Sequence, residues 1–205
     1  MKKIILSLFL FGIVCDQLIA QPLKKGQNSI NVYYGVSIVR TFYTNYFEAI
    51  DQNVKISGLG PIGLVYEHMV TDKIGVGGEF GYATTKATYT DSFEEYNSNT
   101  NTFNTVTYNY KATATTIRAQ LRMNVHFTNS DKFDAYGFMS AGYRGLNWSF
   151  ESNDPSLTSE TFPNLVPFGV KIGLGLRYFF TENIGIQTEI ALGSPAFSGG
   201  LAFKF

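Results

Sequence analysis

The 205-residue sequence has one cysteine, two histidines and few charges. Cys15 is the lone cysteine, so an intramolecular disulfide is excluded. His68 and His126 have no cysteine and no HxxxH partner, which leaves no zinc-type ligand set and no metal site to expect. Charged residues make up 16% of the chain, against roughly 25% in soluble domains. The formal net charge of zero offers no electrostatic footprint for nucleic acid. No apolar run reaches the about 20 residues that a membrane-spanning helix needs. Gly58-Leu59-Gly60-Pro61-Ile62-Gly63 spells the dinucleotide fingerprint, but Pro61 sits inside it and no strand-then-helix context surrounds it. Strand kinks account for those glycines better, and no cofactor is expected.

What the sequence does have begins with an address. Lys2 and Lys3 precede the short apolar run 4–14, and a small residue, Ala20, stands before Gln21-Pro22. That is the pattern of a secretory signal peptide over residues 1–20, cut after Ala20. A lipid on Cys15 is disfavoured, because Val14 is too large for the position before a lipidated cysteine. Residues 21–205 then form one domain.

Within that domain the dominant signal has a period of two. The final stretch, 196–205, places Phe197, Gly199, Leu201, Phe203 and Phe205 on one face and Ser198, Gly200, Ala202 and Lys204 on the other. Segments 28–40, 54–70, 74–88, 110–127, 133–150 and 165–180 are further strands, and a seventh carries Ile184, Ile186, Ile190 and Leu192. Residues 110–127 and 165–180 alternate best, whereas the faces of 133–150, rich in glycine and aromatics, cannot be assigned. Short turns at 71–73, 128–132 and 181–183 alternate with polar stretches at 41–53, 89–109 and 151–164, and Ser194-Pro195 makes a short fourth loop. An apolar face on strands such as 110–127, 165–180 and 196–205 with no covering layer suits lipid, and the edges must then close on one another. The fold class is all-β: an eight-stranded antiparallel transmembrane up-and-down β-barrel, with termini and tight turns in the periplasm and the polar stretches outside as loops. A soluble lipocalin-type barrel would need a polar outer face, which 110–127, 165–180 and 196–205 do not provide.

The signal peptide, the strand–turn pattern, the Gly78-Glu79-Phe80-Gly81 segment and the terminal Phe205 resemble the small outer-membrane β-barrel family of Gram-negative bacteria, the eight-stranded OmpA/OmpX-like barrels. The resemblance implies residence in outer-membrane lipid and lipopolysaccharide. It also implies an assembly signal, read by the barrel-assembly machinery, in Leu201, Phe203 and Phe205.

The second face of the strands collects Glu67, Glu79, Arg118, Arg122, Lys171, Arg177, Glu189 and Lys204. An eight-stranded barrel has an interior that side chains fill, and buried charges must pair to be tolerated. Inward glycines such as Gly63, Gly75, Gly81 and Gly175 leave room for long charged chains. The expectation is a closed lumen filled by a charge network, with a structural or surface-interaction role. The alternatives are a narrow porin-like channel in which pairs exchange partners, and a lipid-modifying enzyme using His126 with Thr128 or Ser130. In the long loops, Tyr43, Tyr46, Phe47, Phe93, Tyr96, Phe103 and Tyr108 suit either partner binding or the aromatic belt at the membrane interface, and the belt is preferred. Trp148, Phe168 and Phe197 are expected in its outer half, and Phe127, Phe133, Tyr178 and Phe180 in its inner half.

Overall fold

The computed structural model describes residues 23–36, 41, 54–98, 101–128, 130, 132–162 and 167–205. Residues 1–20, expected to be a signal peptide and including Cys15, lie outside them, as do Tyr43, Tyr46 and Phe47. Ten strands run in order: β1 (Asn28–Val36), β2 (Val54–Ser57), β3 (Ile62–Met69), β4 (Ile74–Asn97), β5 (Thr102–His126), β6 (Phe133–Ser152), β7 (Glu160–Phe162), β8 (Phe168–Phe179), β9 (Ile184–Leu192) and β10 (Phe197–Lys204). Each main strand pairs antiparallel with its neighbours, and β1 closes on β10 from Ser29↔Lys204 to Val36↔Phe197. Asn28 and Phe205 exchange both backbone hydrogen bonds below that ladder, at 2.9 and 3.0 Å. The sheet therefore has no free side edge, and its ten strands form the eight staves of the expected barrel.

Two staves are built from two pieces. β2 and β3 both pair with β4, and the break between them holds Gly58, at φ 136°, and Pro61. A side chain at Gly58 would overlap the Thr84 carbonyl, so glycine is required where β4 passes so closely. The stretch expected to be one strand, 54–70, is thus interrupted at the suspect glycines. β7 continues the β8 stave by pairing with β6 at Trp148–Phe150, inside what the sequence reads as loop 151–164.

The largest departure is at 89–109. These residues form the upper part of a ribbon in which β4 and β5 stay in register to Asn97↔Thr102. Sequence alternation fails there because the ribbon has solvent on both faces, so neither face must be apolar. Cross-strand pairs hold it instead. Thr90 Oγ1 donates to Asn109 Oδ1 at 2.9 Å, and Ser92 and Thr107 share a hydroxyl bond at 2.9 Å. Tyr89 stacks on Tyr110, and Phe93 and Tyr96 pack on Tyr108 and Phe103 with ring centroids 5.3 Å apart. Phe93 stands about ten residue pairs beyond Ala83, on the order of 30 Å at the strand rise. These aromatics pair with one another across the ribbon. Beside the ribbon, Ser156 hydrogen bonds hold the Asp154 carboxyl below its ordinary range. Burial and that carboxylate push the Tyr110 hydroxyl up.

The tight turns repeat one device. Thr71 Oγ1 accepts from the Ile74 amide at 2.9 Å, and Thr181 Oγ1 accepts from Ile184 at the same distance. The outer surface between the turns and the long connections is apolar, with Leu121, Ile172, Leu174, Ile190 and Leu201 all exposed. Phe168, Phe197, Phe127, Phe133 and Tyr178 are exposed, and Phe180 half-exposed. Trp148 is different. It opposes Ala114 in the same strand phase as Arg118, which puts it on the inner face of the wall above the lumen.

Candidate functional site

The strand phase that points Leu121, Met123 and Val125 outward sends Arg118, Gln120, Arg122, Asn124 and His126 into the barrel. The same alternation delivers Glu67 from β3, Glu79 from β4, Lys171 and Arg177 from β8, and Glu189 from β9, all buried. All of these charges except Arg118, joined by Asp134, assemble into two rings of alternating sign.

In the upper ring, Arg122 reaches Glu79 through Nη1 at 3.0 Å and Glu189 through Nη2 at 2.5 Å. Lys171 Nζ closes the circuit, at 3.0 Å from Glu79 and 3.4 Å from Glu189. All four side chains are at most 2% exposed. The remaining lone pairs are served by tyrosines: Tyr33 donates to Glu79 at 2.9 Å and Tyr136 to Glu189 at 2.8 Å. Phe138 lies beneath both cations, with Arg122 Cζ 3.8 Å and Lys171 Nζ 4.9 Å from its ring centre.

The lower ring lies nearer the tight turns. His126 Nε2 meets Glu67 at 2.9 Å and Nδ1 meets Asp134 at 2.7 Å. Arg177 bridges the same two carboxylates, at 2.8 Å from Glu67 and 3.3 Å from Asp134. Carboxylates are acceptors, so both imidazole nitrogens must carry hydrogen to complete this ring. With the imidazole so charged, each ring contains two anions and two cations and is neutral. Tyr136 separates the two, with Arg177 Cζ 4.2 Å from its ring centre on one side and its hydroxyl on Glu189 on the other.

The sequence-expected set and the observed one overlap without coinciding. Glu67, Glu79, Arg122, Lys171, Arg177 and Glu189 are in the rings. Lys204 is buried near the tight turns with its Nζ 4.9 Å from the Phe179 ring, and it pairs with no acid among the described residues. Arg118 stands above the upper ring, buried, and none of its guanidinium nitrogens has a hydrogen-bond partner among the described residues. Asp134 and the tyrosines are additions. Asp134 begins the strand whose faces the sequence could not assign, and cross-strand pairing with Arg177 supplies the missing phase. His126 is inward as its phase predicts, but its partner is not Thr128 or Ser130. Thr128 Oγ1 serves the turn through Phe133 O and Ala135 N, and Ser130 Oγ accepts from Phe133 N. His68 bonds Asn28 instead.

The inward glycines do make room, for tyrosines as much as for charges. A Cβ at Gly63 would overlap the Tyr33 phenol, one at Gly175 the Tyr136 ring, and one at Gly75 the Glu67 carboxylate. Leu201 and Phe205 are exposed and Phe203 half-exposed on the outer face of β10.

No curated protein sequence matches the chain. Among solved structures, it is similar to the N-terminal β-barrel domain of Pseudomonas aeruginosa OprF, at 15% identity over 89% of this chain and 100% of that one, TM-score 0.45. It is also similar to Ail, the attachment invasion locus protein of Yersinia pestis (16% identity, 88% and 99% covered, TM-score 0.43), and to the P. aeruginosa outer membrane protein OprG (12%, 91% and 99%, TM-score 0.42). Residues 18–199 match the model of the outer membrane protein beta-barrel domain, and the chain belongs to that family of outer-membrane barrels.

Proposed function

We propose that this outer-membrane barrel has a closed lumen and a structural or surface-interaction role. The observation that carries the reading is the upper ring: four long side chains from β4, β5, β8 and β9 meet across the lumen with their charges mutually satisfied. A neutral, hydrogen-bonded plug of this kind leaves no mobile charge for an ion to exchange with. The role is read as non-enzymatic: both His126 nitrogens are held by carboxylates, so this imidazole is not a free base for Thr128 or Ser130. The interacting part is the extracellular ribbon, whose upper residues carry Asp91, Glu94 and Glu95, no basic residue, and the exposed Phe93, Tyr96 and Phe103. Lipopolysaccharide is the expected neighbour of the apolar outer band.

Planar-bilayer recording tests the closed lumen. The purified barrel is expected to insert without stepwise conductance. Regular steps would overturn the reading in favour of a narrow channel. One observation favours that second reading: Asn31, Gln187 Nε2 and Ser198 Oγ are buried in the lumen with no hydrogen-bond partner among the described residues, as a wetted conduit would have them.

The exposed aromatic end of β10 is assigned to assembly. Phe205→Ala is expected to lower the amount of inserted barrel in cells several-fold, while refolding of the purified chain into detergent is unchanged. The Phe205 backbone bonds to Asn28 survive the substitution, so equal yields in cells would remove the assembly role.

A further inference from the structure

The two rings use four acids and four cations, which leaves Arg118 as an unspent charge. It is 2% exposed, and Nε, Nη1 and Nη2 all lack a hydrogen-bond partner among the described residues. A buried guanidinium in that state costs several kcal/mol unless an anion meets it. The neighbouring groups cannot serve. The Tyr33 hydroxyl, beside Arg118 over Gly81, donates to Glu79, and Glu79 is held by Arg122 and Lys171. One layer down, Gln120 Nε2 donates to Gly169 O and its Oε1 accepts from Ser140.

Across the β5–β6 ladder, Arg118 is directly opposite a second cation, Arg144. Arg144 is exposed and Arg118 is buried, so the pair forms a gradient from the extracellular mouth into the lumen.

We propose that Arg118 and Arg144 form a site for a small inorganic oxyanion at the extracellular mouth of the lumen, with Arg118 as the inner ligand. The anion neutralises the buried guanidinium of Arg118, with Arg144 as a second cation across the ladder. It enters from the outside and stops above the neutral upper ring. The site rests on the closed lumen proposed above, and it occupies only that lumen's outer end.

The test uses the full barrel in detergent micelles, with sulfate as the probe in a background of gluconate, a bulkier monovalent anion. The midpoint of the heat-induced mobility shift is read as sulfate is added at constant ionic strength. The wild-type midpoint is expected to rise saturably by about 5–10 °C, the response to a ligand at about 100 times its Kd on a chain of this size. Arg118→Met should remove the saturable rise. In gluconate alone it should melt no lower than wild type, since it deletes a buried charge that has no partner. Sulfate also stabilises proteins without binding, so an equal rise in wild type and Arg118→Met would overturn the site, as would a flat wild-type response. Should Arg118→Met fail to fold, Arg144→Met, altered at an exposed position, must weaken the sulfate response, and an unchanged response there counts against the proposal. Conductance steps would sink the closed lumen and leave this comparison readable on its own.

Discussion

Arg122→Met is expected to lower the stability of the inserted barrel by about 3–5 kcal/mol, the cost of breaking a buried ion pair by removing one partner. The methionine stem keeps the packing over Phe138, so the loss is electrostatic. Glu79 would retain Lys171 and Tyr33, and Glu189 would retain Lys171 and Tyr136, but one ammonium would then face two buried carboxylates. The measurement is the temperature at which the compact band converts to the unfolded one on a gel. A compensated variant identifies the cause. Arg122→Met combined with Glu189→Gln restores charge balance and should recover much of the loss, a coupling that independent sites would not show. An unchanged midpoint in the single variant would mean that the ring fills space without holding the wall together. The contrast with Arg118 is direct: two arginines four residues apart on β5, both buried, with opposite expected effects because one is paired and the other is not.

Gly200→Val is expected to abolish the heat-resistant band, or to destabilise it by about 3 kcal/mol, the upper end of overpacking penalties. Gly200 sits on β10 at the closing ladder, opposite Tyr33 of β1. Even a Cβ there would overlap the Val32 carbonyl and lie 2.8 Å from Tyr33 Cα. These are backbone atoms of a strand held on its other side by β3, so they cannot move aside singly. Gly199→Ala is the control. It is one residue away on the outer face, and its nearest neighbour would be Gln187 O at an ordinary 3.7 Å. Equal melting of the two variants would show that barrel closure tolerates a side chain at Gly200.

The barrel was legible because lipid imposes alternation: wherever a strand crosses the apolar band, one face must be greasy, and that face can be read residue by residue from Leu121, Ile172 or Leu201. Where the constraint is lifted the reading fails, as in the ribbon, whose threonines and asparagines are strand residues with no apolar face to declare them. The ring members were legible as inward charges, but not their partners. Partnership depends on the stagger between strands, which brings Arg122 of β5 to Glu189 of β9, on the far side of the lumen. Asp134 escaped notice because a glycine and an aromatic fit either face of a strand, so β6 shows no phase of its own. His126 could be placed in the lumen but not in a ring, since its role requires Glu67 and Asp134 at once.

β5 runs for 25 residues without a break, from the ribbon tip to the last residue of the lower ring. Its two halves answer to different judges. Below Ile117 the positions alternate between the lipid-facing surface and the packed lumen, so each is constrained by one or the other. Above Asn109 a substitution has only to suit its neighbour on β4. The far end of the ribbon can therefore be rewritten without disturbing the contacts that keep the barrel in the membrane.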